Sequence, residues 1–139
     1  MNVKKLLLAT LVVGIVAIIW DYIVHMQILM GTYDQMAIFK KEISILWVII
    51  GDLVWALVFV WVYNRVYSSF GGGAKGGAAY GFYAGILLNF PAMLFNNVIY
   101  VDYPYWLAWV QLILGIVFCV IAGAVAGAIY KKEAAPAAV

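Results

Sequence analysis

Of 139 residues, 68% are hydrophobic and 10% are charged, against roughly 25% charged in an average soluble domain, and a soluble fold could not hide that much apolar surface. The net charge is +2 with no clustered basic face, so nothing points to nucleic acid as a partner. One cysteine, Cys119, excludes a disulfide within the chain.

The apolar residues form four runs: Leu6 to Met30, Ile43 to Tyr63 with its helix extended to about residue 65, Ala78 to Tyr100, and Tyr105 to Tyr130. A bilayer core takes about 20 residues at roughly 1.5 Å rise each. The runs are continuously apolar, whereas a barrel strand alternates over about ten residues. The predicted fold class is therefore all-α: a polytopic membrane protein of four transmembrane helices in two hairpins, forming one domain over residues 1–132.

In the first helix, Lys4 and Lys5 precede the apolar stretch as they would in a signal peptide, but no small-x-small cleavage site follows, so the run is read as a retained helix. Asp21 and His25 lie four apart near its end and share one face. A turn at Tyr33 and Asp34 and a loop with Lys40, Lys41 and Glu42 lead to the second helix, which holds Asp52.

Next comes Ser68-Ser69-Phe70-Gly71-Gly72-Gly73-Ala74-Lys75-Gly76-Gly77, a flexible connector by composition. It lacks the Gly-Lys-Ser/Thr ending of a phosphate-binding loop. The third helix carries Gly73, Gly77, Gly81 and Gly85 at four-residue spacing, then Asn89, Pro91, Asn96 and Asn97. Pro91 should free a carbonyl and bend the helix near this polar group.

After Asp102 and Tyr103, the fourth helix holds Gln111 and a matching stripe of Gly115, Cys119, Gly123 and Gly127. Such stripes let helix backbones approach closely in lipid; the partner can lie within the chain or in another copy. Residues 133–139 read as a disordered tail.

Lys4, Lys5, Arg65, Lys75, Lys131 and Lys132 fall on one side of these helices, and Lys40 and Lys41 on the other. The positive-inside rule then places both termini in the cytoplasm. Tyr33, Trp47, Tyr103, Tyr105 and Trp106 are expected to form an outer aromatic belt, and Tyr63, Tyr67, Tyr80 and Tyr130 an inner one. The two halves share a Tyr/Asp turn and a Trp-containing return helix. That fits a degenerate parallel repeat, and equally fits features common to any two membrane hairpins.

Functional candidates are the polar groups inside the spans, since an ionisable group in hydrocarbon costs several kcal/mol unless paired or hydrated. They are Asp21, His25, Asp52, Asn89, Asn96, Asn97 and Gln111. Helical rise places Asp52 and Gln111 roughly 10–15 Å deep and Asp21 less, so Asp52 is expected to matter more than Asp21. All except Asn89 belong to the outer half, which favours a pocket opening outward over a continuous pore.

Asp21-x-x-x-His25, Tyr80-Gly81-x-x-x-Gly85 with Pro91, and Gly123-x-x-x-Gly127-x-x-Tyr130-Lys131 give the chain a resemblance over nearly its whole length. It resembles a group of small, uncharacterised bacterial four-helix inner-membrane proteins of the domain-of-unknown-function type. The resemblance implies the fold and a bacterial inner (cytoplasmic) membrane, and carries no activity.

Three functional readings follow. The first is a non-catalytic accessory or scaffold subunit that packs through its Gly-rich faces, in a homo-oligomer or a larger membrane complex. The second is a small proton- or cation-coupled transporter with an outward-facing Asp/His site, because His is the residue type whose charge changes near neutral pH. The third is metal or haem binding through His25. The absence of a Ser/His/Asp set, a Cys-x-x-Cys pair and a His-rich motif argues against an enzyme, and no cofactor is expected.

Overall fold

A computed structural model describes residues 3–38, 42–101 and 103–130. Lys40, Lys41, Asp102, Lys131, Lys132 and the 133–139 tail lie outside the described residues. Among those described there is no strand, as expected where a bilayer offers the backbone no hydrogen bonds except its own. Helix α1 spans Val3–Asp21 and continues as a π-helical segment, Tyr22–Ile28. A single turn, α2 (Met30–Tyr33), follows. Helix α3 runs Ile45–Val66 with a 3₁₀ extension, Tyr67–Phe70, then come α4 (Gly73–Ile99) and α5 (Tyr105–Tyr130).

Four continuous segments, Val3–Ile28, Ile45–Phe70, Gly73–Ile99 and Tyr105–Tyr130, are long and apolar enough to cross a membrane. Their outer faces are covered by exposed apolar residues such as Leu11, Ile15, Leu87 and Val98, a surface suited to lipid. The chain is a multi-pass integral membrane protein built as an all-α bundle.

The bundle has two ends. One is organised around Leu6, Val60, Tyr63, Tyr80, Ala126 and Tyr130, the other around Val24, Tyr33, Met93, Tyr103 and Leu107. Lys4, Lys5, Arg65 and Lys75 belong to the first end by their positions on the same helices.

The closest pairing is α4 with α5. A Cβ added to Gly77 would strike the Gly123 carbonyl, one on Gly81 the Cys119 carbonyl, and one on Gly127 the Gly73 carbonyl. A Cβ on Gly85 would lie 2.9 Å from the Ile116 Cα. The two small-residue stripes therefore interlock with each other, antiparallel and backbone to backbone. α1 meets α3 where Gly14 leaves room for the Leu53 side chain.

Three features differ from the sequence reading. The Gly-rich stretch is mostly helix: Gly71, Gly72 and Gly73 turn the chain, with φ of 81°, 69° and 66°, and Gly73–Gly77 already belong to α4. The close contact with α5 holds them there, and a composition-based reading cannot see that contact.

The first helix changes character before its expected end. At Leu29 the amide bonds back to the Val24 carbonyl at 2.9 Å, and α2 folds Tyr33 toward the bundle interior.

Several tyrosines expected in the aromatic belts are interior. Tyr33, Tyr63, Tyr80, Tyr103 and Tyr130 are buried, whereas Trp47, Tyr105 and Trp106 are exposed. A phenol accepts burial when its hydroxyl finds a partner, as Tyr80 does by donating to the Phe59 carbonyl at 3.0 Å.

A polar cavity between the helices

The π-helical segment leaves Asp21 and His25 facing each other, with His25 Nε2 3.9 Å from Asp21 Oδ1. π-Segments are uncommon and concentrate at functional positions. The turn α2 then stacks the Tyr33 ring on the imidazole, centroids 5.9 Å apart, with His25 Nδ1 2.7 Å from the Tyr33 hydroxyl.

That hydroxyl also accepts from Gln111 Nε2 at 3.0 Å, and Gln111 Oε1 accepts from the Tyr103 hydroxyl. The tautomer of His25 that accepts at Nδ1 from the Tyr33 hydroxyl carries its proton on Nε2, on the side facing Asp21. Burial pushes the Tyr33 and Tyr103 phenols above their ordinary range, so both remain donors at neutral pH. A chain of polar contacts thus runs Asp21, His25, Tyr33, Gln111, Tyr103, joining α1, α2, α5 and the turn before α5.

Asp52 of α3 approaches the same group from behind, close enough for its carboxyl and that of Asp21 to influence each other electrostatically. The Asp52 oxygen Oδ2 is buried without a protein partner.

Asp21, His25, Asn89, Asn96 and Gln111 line one cavity of about 290 Å³, at the lower edge of the usual size range of small-molecule sites. Its apolar wall is aromatic. Trp20 stacks on Phe118 at 5.7 Å and Trp55 packs on Phe118 at 4.8 Å. Among the described residues, no Lys or Arg lines it.

Asn89 donates its amide N–H to the Gly85 carbonyl at 2.8 Å, which leaves its side-chain oxygen as an acceptor. That oxygen lies where a Cβ on Gly115 would be. Gly115 therefore makes room for a polar side chain, whereas Gly77, Gly81, Gly123 and Gly127 make room for backbone.

Asn96 and Gln111 also border a second cavity of about 230 Å³, with Ile38, Tyr100 and Tyr103. Asp21 and His25 border an apolar third of about 300 Å³ against α3.

Of the seven polar candidates, five share the main cavity and Asp52 touches it through Asp21. Asn97 does not join them; its amide is spent on the Met93 carbonyl at 2.9 Å. The residues that the sequence reading did not single out as part of the site are Trp20, Trp55, Phe118, Tyr33 and Tyr103. A signal existed for two of them, since Trp20 and Trp55 sit inside their spans, away from the interfaces where Trp normally collects.

Cys119 is buried against Asn89. Among the described residues, no three His, Cys, Asp or Glu side chains gather as a metal site. No family model, curated protein or solved structure matches the chain.

Proposed function

We propose that the protein binds a small organic cation within the bilayer and exchanges it for a proton, acting as a small proton-coupled transporter. The carrying observation is the convergence of Asp21, His25, Asn89, Asn96 and Gln111, from α1, α4 and α5, on one cavity walled by Trp20, Trp55 and Phe118. A carboxyl group beside aromatic faces is the chemistry that recognises an ammonium.

The titratable groups around the site are Asp21 and His25 on α1, Asp52 on α3, Tyr33 on α2, Tyr103 before α5 and Cys119 on α5. Uncompensated charge is expensive at this depth. With no Lys or Arg among the described residues of the lining, the resting site stays near neutrality by holding a proton on its carboxyl groups, and an entering cation displaces it. Calorimetric titration of the purified protein with tetramethylammonium tests this reading: saturable binding is expected at neutral pH, and its absence would overturn the proposal.

The accessory-subunit reading drew on the Gly stripes, and these are occupied by each other within α4 and α5.

We further propose a bacterial inner membrane, as the resemblance implies, with both termini cytoplasmic, a topology supported by the distribution of Lys and Arg. The cavity then lies toward the external face. A reporter fused after Val139 should be active only in its cytoplasmic form, and one inserted at Asp34 only in its exported form; the reverse pattern would invert the topology.

A further inference from the structure

The polar cavity does not end at its aromatic wall. Trp55 and Leu88 line both it and a second depression of about 420 Å³ between α3 and α4. This groove is apolar, bordered by Val58, Val62, Tyr83, Ala84 and Leu87 among others. Val58, Tyr83, Leu87 and Leu88 are themselves exposed on the outer, lipid-facing surface. The apolar groove and the Asp21 cavity therefore adjoin, with Trp55 and Leu88 as the wall between them.

We infer that the substrate of the Asp21 cavity is a single-chain amphiphilic ammonium that enters from the bilayer, its head in the cavity and its tail in the α3–α4 groove. This rests on the cation-binding reading above and deepens it.

Charge complementarity fixes the head. The acidic group in the lining is the Asp21 carboxyl, set beside the faces of Trp20, Trp55 and Phe118, while Gln111 is engaged at both ends by Tyr33 and Tyr103. An anionic head would meet a carboxyl, with no Lys or Arg among the described residues of the lining to balance it.

Size fixes the tail. At about 30 Å³ for a water-sized group, a cavity of about 290 Å³ takes a head of roughly ten heavy atoms and a groove of about 420 Å³ a chain of about a dozen carbons. A tail in the groove leaves lipid for an equally apolar wall, so it gains little from the hydrophobic effect. Selectivity there comes from shape and contact.

The test uses the full chain in nanodiscs, with dodecyltrimethylammonium and tetramethylammonium as probes and affinities expressed per bilayer concentration for the long-chain probe. Val58→Trp places a bulky ring in the groove away from the polar cavity. It should lower dodecyltrimethylammonium affinity at least tenfold, while the lipid-facing control Val98→Trp changes it less than twofold. Equal affinities in the two variants would overturn the tail site. In that case, tetramethylammonium binding that is lost in Asp21→Asn would leave the cation site standing. If neither probe binds the wild-type protein, the cation reading fails and the tail site with it.

Discussion

Gly123→Leu and Gly81→Leu are expected to lower thermal stability in detergent by more than about 3 kcal/mol each, beyond the usual range for an overpacked core. Each new side chain would have to occupy the position of a carbonyl on the opposing helix, Gly77 for one and Cys119 for the other. Backbone cannot rotate aside as a side chain can, so α4 and α5 must separate along their whole contact. In a bilayer that contact has no hydrophobic replacement, because lipid is as apolar as the residues it would cover. A scan of melting temperatures should show both variants roughly 10 °C or more below wild type, and the lipid-facing Val98→Leu within 2 °C or so. If all three melt together, the stripes are incidental composition.

The second large effect is at Asp21. Asp21→Asn should weaken tetramethylammonium binding about a hundredfold, equivalent to about 2.7 kcal/mol, because it removes the carboxyl that faces the cavity directly. Asp52→Asn should cost less than tenfold. Asp52 does not line that cavity; it acts on the ligand site only through its neighbour Asp21, and an amide of the same shape leaves that neighbour in place. Depth counted along the sequence ranks these residues the other way. Calorimetry on the two variants distinguishes the orders, and a larger loss at Asp52 would mean that the cation sits behind Asp21, against α3.

The difference between the two rankings shows what the sequence could and could not convey. Helix number, span positions and the polar candidates were legible because hydrocarbon enforces long apolar runs and makes each Asp, His or Asn inside them conspicuous. The α4–α5 contact was half legible: the four-residue spacing of Gly77, Gly81, Gly85 and of Gly115, Cys119, Gly123, Gly127 announced a close approach but not its partner.

Rotation of one helix against another has no such signature. Nothing in Asp52 or Asp21 alone says that their carboxyls meet, or that Asn97 turns back to Met93 while Asn96 lines the cavity. The π-helical segment was equally hidden, since Tyr22–Ile28 carries no Pro or Gly to mark it. Tyr33 and Tyr103 followed the belt rule in sequence, and only the fold of α2 against α5 brings their hydroxyls to His25 and Gln111.

Proton release on cation binding is the most direct measurement. In weakly buffered detergent solution with a pH-sensitive dye, wild-type protein should release close to one proton for each tetramethylammonium bound. Affinity should then rise with pH, by up to tenfold per unit, because cation and proton compete for the same carboxyl pair. Asp52→Asn should bind and release markedly less than one proton. Saturable binding with no proton released by the wild-type protein, or with affinity independent of pH, would contradict exchange at the Asp21 and Asp52 pair.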